Sequence, residues 1–322
     1  MLDRLKQLIQ QQFTRSQAGL ERASERQLIL QASLLARDNR LRKTLPGLHD
    51  AGFAAFSQWG EDGMLDWLIE HLPGIPRSFV EFGVGDYRES NTRLLLQLRN
   101  WRGLVIDGSA AHIADIRSQE LYWRHELTAL QAFIDRDNIN TLIASGGMRD
   151  EIGLLSVDID GNDYWVWQAI NVVQPAIVLA EFNAVLGDRH ALTVPYRSDF
   201  QRGRAHHSQL YFGASLPALV ELGRNKGYRF IGTGLFGCNA FFIRDDLAGQ
   251  VLASLEGVWA FSTLAREARD EQGQLLFTSG PARAATIAAM PVVDLVRGRE
   301  VALGELGELY SPQWAAGEGV RL

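Results

Sequence analysis

From about residue 53 to residue 245 the chain alternates short apolar runs with stretches of helical periodicity. The runs occupy 78–84, 103–107, 153–159, 176–182, 228–231 and 240–243, and several are apolar at nearly every position. Strands that are apolar throughout are covered on both faces, and their alternation with helical stretches predicts βαβ units around a parallel sheet. The intervening segments 91–98, 110–118, 138–144, 164–170 and 215–226 read as helices. Only the glycine-rich stretch 232–237 separates the last two runs, so these pair as an antiparallel hairpin. The pattern predicts an α/β fold, five parallel strands closed by that hairpin.

The flanks differ from this body. Residues 1–50 form an extension in which Leu2, Leu5, Ile9 and Phe13, then Leu20, Leu28, Leu30, Leu34 and Leu35, give an amphipathic helical pattern with an interruption near Gly19. Residues 246–322 read as a long helix to about Ala268, a polar turn, and a hairpin around Arg297 and Gly298. Up to residue 45 there are nine basic and four acidic side chains, whereas the whole chain carries −6. Extension and body therefore have opposite signs, and the extension is expected to pack on the body or on a second copy, making a homo-oligomer through these helices.

An acidic chain is a poor counterion-releasing partner for a phosphate backbone, so no nucleic-acid role is expected. One cysteine, Cys238, excludes an internal disulfide and a multi-thiolate zinc site. No window is long and apolar enough for a leader or a membrane span, and the expected location is cytoplasmic.

In an open α/β sheet ligands bind beyond the carboxyl ends of the strands. The first run ends Glu81-Phe82-Gly83-Val84-Gly85-Asp86, where the glycines allow a tight turn and an acid suits an ammonium or hydroxyl donor. Arg88 stands where a dinucleotide fingerprint wants its third glycine, which weighs against a nicotinamide cofactor and favours S-adenosylmethionine. Asp107, at the end of the second run, is placed to accept from ribose hydroxyls, with Gly108 and Ser109 continuing around the ribose and 127–129 near the adenine. Asp158 and Asp160 share a strand face, where they can orient a hydroxyl, act as base, or with Glu181 hold Mg²⁺ or another divalent cation; Asn183 adds a fourth oxygen-bearing side chain. Asp163 reads as a cap or first-turn residue. The stretch 184–214 is long enough for a lid, and its arginines and His206 and His207 suit a polar acceptor, with either histidine as catalytic base.

Five segments together resemble the FkbM-type methyltransferases: FSQWGED (56–62), FVEFGVGD (79–86), SNT (90–92), WRGLVIDGS (101–109) and LLSVDIDGND (154–163). The resemblance covers about residues 53–245. It implies a class I, Rossmann-like methyltransferase domain over 51–245, a mostly parallel seven-stranded sheet, and transfer of methyl from S-adenosylmethionine to a hydroxyl of a sugar, polysaccharide or related metabolite. By motif position Glu81, Gly83 and Gly85 would bind the methionine part and Asp107 the ribose, while Gln58 would close over the cofactor. Asp160 departs from the family's glutamate, and 162–165 depart as well. Two other readings remain open: a non-catalytic binding or assembly protein on this fold, and a metal-dependent enzyme.

Overall fold

The computed structural model describes residues 2–263 and 265–322, and for 2–18 and 21 the backbone alone. In chain order it has α1 (Leu2–Leu41), α2 (Glu61–Glu70), β1 (Ser78–Phe82), α3 (Arg93–Arg99), β2 (Arg102–Asp107), α4 (Ala110–Ser118), α5 (Glu120–Arg124), β3 (Leu127–Gln131), α6 (Ile139–Ser145) and β4 (Asp150–Val157). There follow α7 (Asp163–Ala169), β5 (Val173–Glu181), β6 (Leu192–Thr193), α8 (Arg202–Ala205), α9 (Leu216–Asn225), β7 (Tyr228–Thr233), β8 (Asn239–Arg244) and α10 (Asp245–Leu252). The last strands are β9 (Trp259–Ala260), β10 (Pro291–Asp294), β11 (Arg299–Ala302) and β12 (Val320–Arg321).

The central sheet runs β3-β2-β1-β4-β5-β8-β7, with β8 antiparallel to both β5 and β7. This is the class I methyltransferase arrangement: a mostly parallel seven-stranded sheet with a terminal hairpin. Successive residues of one strand face different layers. Val80, Leu155 and Val178 pack with Ile143, Trp167 and Leu219 on one side, while Phe79, Leu154 and Ile177 pack with Leu65, Leu95 and Ile113 on the other. Two covered faces explain why these strands lack a polar alternation.

The six apolar runs all become strands of this sheet. The fifth parallel strand, β3, is absent from the runs because it is an edge strand, in which buried Leu127 and Ala129 alternate with exposed Thr128. The helix α1 passes through Gly19 without a break. A glycine costs about 1 kcal/mol against alanine inside a helix, a local penalty that a forty-residue helix absorbs. In the C-terminal part α10 stops at Leu252 instead of reaching Ala268. The chain there is drawn into tertiary pairing: Leu45 N–H donates to the Ser254 carbonyl, Glu256 N–H to the Leu45 carbonyl, and β9 pairs with β12. The hairpin around Arg297 and Gly298 forms as β10 and β11.

The stretch 184–214 is not a free lid. Its β6 joins β10, and Val185, Leu186, Leu192, Leu210 and Tyr211 share an apolar cluster with Ile287, Val292 and Leu303. A C-terminal segment more than seventy residues away in sequence covers those side chains, so periodicity within the stretch does not reveal the packing. Among the described residues no helix is long and apolar enough to cross a membrane.

Candidate active site

The loops after β1 and β2 are joined through one carboxylate. Asp107 accepts from Gly85 N–H at 2.9 Å through Oδ2 and from Ser109 N–H at 2.7 Å through Oδ1, with His112 Nδ1 3.1 Å from Oδ1. Ser109 also caps α4, its hydroxyl accepting from His112 N–H. Gly85 has φ +54° and open space where a side chain would stand, while Gly108 faces the exposed Phe133 ring. Residues 127–129 lie opposite 103–105, at the far end of β3 from Asp107; the residues level with Asp107 are Gln131 and its successors. The adenine assignment to 127–129 is therefore corrected, and Phe133 beside Gly108 is the available apolar surface.

Glu81 is also placed differently from its expected role. It is buried and accepts from Ser90 Oγ, Asn91 N–H, Thr92 N–H and Thr92 Oγ1 at 2.5–3.2 Å. Its carboxylate thus anchors the SNT segment instead of facing a ligand, and burial raises its pKa. A parallel device holds the FSQWGED segment: Asp62 accepts from the N–H groups of Ala55, Phe56 and Ser57, and Ser57 Oγ accepts in return from Asp62 N–H. Glu61 ties the same segment to β8 through Asn239 Nδ2 at 2.9 Å.

Gly83 brings the two halves of the site together. It has φ +67°, and a Cβ there would lie 2.0 Å from the Asp158 carbonyl oxygen. Left-handed backbone costs a side-chain residue roughly 1–2 kcal/mol, and overpacking adds about 1–3 kcal/mol. Gly83→Ala is therefore expected to destabilise the fold by more than about 2 kcal/mol, measured as a lowered urea midpoint. An unchanged midpoint would show that the β1 and β4 tips can separate without cost.

Beyond that contact lies a polar cleft of about 350 Å³, whose walls include Gln58, Trp59, Asp158, Asp160, Glu181 and Arg202. One oxygen each of Asp158, Asp163 and Glu181 falls within 4.8 Å of the others. Burial first, then the charges of Asp160 and Asp163, push Asp158 well above the ordinary carboxylate range, and burial followed by the Asp158 charge does the same to Glu181. Glu181 Oε2 is buried with no hydrogen-bond partner, leaving an unsatisfied acceptor at the cleft. Arg202 spans the rim, donating to Asp160 and to Glu267 at 2.5 Å while stacking on the Phe212 ring at 3.9 Å.

These contacts revise the expected assignments. Asp160 is an exposed residue paired with Arg202 and lies outside the close carboxylate group; Asp163 takes its place there. Both Asp163 oxygens accept backbone N–H groups, from Ile159 at 2.7 Å and Gly161 at 2.8 Å, so Asp163 caps the turn into α7. Asn183 is consumed by the carbonyls of Leu210 and Phe212 and by Val185 N–H. His206 and His207 stack on each other at 4.2 Å, His206 Nδ1 engages Ser208, and neither ring lines the cleft. Proximity in sequence to the strand tips did not bring those histidines to the carboxylates.

Mg²⁺ keeps several waters and is held by one or two carboxylates. Here Asp158 and Glu181 could each offer an oxygen, Asp163 already accepts two backbone N–H groups, and the Arg202 guanidinium adds positive charge nearby. That nearby positive charge and the raised proton affinity of Asp158 and Glu181 both weigh against a resident Mg²⁺. Arg202 belongs to the arginines of the 184–214 stretch expected over the acidic strand tips, whereas Glu267 and Arg283 escaped the sequence reading because their positions come from the packed C-terminal segment; Arg283 is buried and donates to the carbonyls of Thr263 and Ala265.

No family model and no curated protein sequence matches this chain. Similar solved structures include the N-terminal domain of EvdMO1 in the presence of SAH and D-fucose, at 10% identity over 68% of this chain and 95% of that one, with a TM-score of 0.37. A second is an S-adenosylmethionine-dependent methyltransferase from Clostridium acetobutylicum, at 9% identity over 57% and 90%, TM-score 0.36. The CurJ carbon methyltransferase gives 10% identity over 57% and 52%, TM-score 0.36. The class I methyltransferase fold of this chain rests on its own strand order.

Proposed function

We propose that this chain is an S-adenosylmethionine-dependent O-methyltransferase acting in the cytoplasm on a hydroxyl of a sugar, glycan or related polar small molecule. The observation that supports this most is the joining, through Gly83, of a glycine-turn and Asp107 pair at the β1 and β2 tips to a carboxylate pair at the β4 and β5 tips. The motif resemblance to FkbM-type enzymes points the same way.

Asp107 has about four lone-pair sites as a carboxylate. Two serve the N–H groups of Gly85 and Ser109, which leaves capacity for ribose hydroxyls. Gly85 and Gly108 leave the backbone open around it, and Phe133 offers an apolar face for a base. When bound, the cofactor would supply an electrophilic methyl group on a sulfonium. On this reading Asp158 and Glu181 share a proton, and the ionised member accepts the proton of the acceptor hydroxyl; a raised pKa makes it a stronger base than a free carboxylate. Arg202 holds Asp160 at the rim and balances the local negative charge. No resident cation enters this reading.

Calorimetric titration with S-adenosylmethionine and S-adenosylhomocysteine tests it. Saturable binding of both, unchanged by chelator, is the expected result. Absence of binding would overturn the enzymatic reading and favour a binding or assembly protein.

A further inference from the structure

The helix α1 has two faces. Ala32, Ala36 and Asn39 are buried against the body, and Glu25 is clamped by Arg93 at 2.5 Å. At 3.6 residues per turn the far side carries positions 20, 23, 27, 30, 34, 37 and 41. Four leucines lie on it in the open: Leu20 at 69% exposure, Leu30 at 63%, Leu34 at 59% and Leu41 at 76%. With Ala23 they occupy the first and fourth positions of a seven-residue repeat, which Leu2, Ile9 and Phe13 continue toward the start of the helix. Eight of the twelve first and fourth positions from Leu2 to Leu41 are apolar, the exceptions being Lys6, Ser16, Gln27 and Arg37; a largely apolar heptad over this length points to a coiled coil, and forty residues span about 60 Å.

We infer that this far face of α1 is a coiled-coil seam that pairs the chain antiparallel with a second copy of itself. The occupant is indicated by the seam's own order. When position i faces position 43 − i of a reversed copy, Leu2 meets Leu41, Ile9 meets Leu34, Phe13 meets Leu30 and Leu20 meets Ala23. Of the polar members Ser16 meets Gln27, and Lys6 meets Arg37 in a like-charge layer that costs stability near each end of the seam. Every such pairing joins a first heptad position to a fourth, as antiparallel knobs-into-holes packing requires. A membrane surface would want a broad apolar face; this stripe is flanked by Gln10, Gln17, Ser24 and Gln31 on one edge and Gln12, Arg26 and Ser33 on the other.

This inference is independent of the methyltransferase reading. Light scattering coupled to gel filtration should give about 72 kDa, twice the 35.9 kDa chain. Leu30→Glu with Leu34→Glu should give the monomer mass with an unchanged unfolding transition of the body. Leu35→Glu, an exposed leucine off the seam, should leave the dimer intact and controls for general stickiness. Under oxidising conditions Ile9→Cys with Leu34→Cys should cross-link and Ile9→Cys alone should not. A monomeric wild type, a dimer surviving both glutamates, or cross-linking of Ile9→Cys alone would overturn the proposal. So would leucine-dependent sedimentation of a monomeric wild type with phosphatidylcholine and phosphatidylserine vesicles, which would reassign the face to a membrane.

Discussion

Asp158→Asn is expected to lower turnover by roughly a thousand-fold, the middle of the range for loss of a positioned general base, while leaving S-adenosylmethionine binding within a few-fold of wild type. Burial raises both Asp158 and Glu181, with neighbouring carboxylates adding to it, and Asp158 stands beside the Gly83 turn at the β4 tip. An amide of the same shape removes the proton acceptor and the cost of burying its charge together. The variant should therefore also be more stable above neutral pH. The sign follows from linkage: a carboxyl whose folded pKa exceeds its unfolded value of about 4 binds its proton more tightly when folded. Its unfavourable contribution is absent below about pH 4, grows as pH rises toward the raised folded value, and is constant above it. The advantage of Asp158→Asn over wild type in urea unfolding should widen from acid to alkaline pH. Wild-type turnover would remove Asp158 from the chemistry, and a stability difference independent of pH would show that the pair is not compressed in the way its burial implies.

Asp107→Ala should weaken S-adenosylmethionine binding by about 100-fold, on the scale of one or two hydrogen bonds to a charged group. Asp107 ties the β1 loop to the β2 loop, so its loss also frees Gly85 N–H and Ser109 N–H. Asp107→Asn separates the two effects: an amide oxygen can keep one loop contact but lacks the charge for ribose hydroxyls. Binding restored fully by Asn would make Asp107 a loop organiser. Binding lost in both variants, with unchanged unfolding midpoints, is the outcome expected for direct contact with the cofactor.

The sheet was legible because its interior strands are covered twice, and a doubly covered strand leaves an unbroken apolar run such as 176–182. β3 escaped because an edge strand keeps an exposed residue at Thr128, which breaks the run. The site was legible in part. Glycines at 83 and 85 and an acid at 107 announce a strand-tip binding loop because left-handed backbone and strand ends are local properties. Glu81 shows the limit of that reasoning: its position in the motif fits a ligand, yet its partners are Ser90, Asn91 and Thr92, and only the folded loop reveals that its acceptors are spent.

Local order along the chain thus determined the α/β class, the hairpin, the glycine turn and the concentration of carboxylates after β4, since each depends on neighbours within a few residues. Tertiary structure decided which of those carboxylates meet. Asp160 lies two residues from Asp158 but turns out to Arg202, whereas Glu181 comes from the adjacent strand and stands within 4.8 Å of Asp158. It also decided that His206 and His207 miss the cleft and that Arg202 and Arg283 reach it. The physical reason is that burial and charge pairing depend on what packs from distant segments, here the insertion after β5 and the C-terminal strands, and no periodicity records that packing.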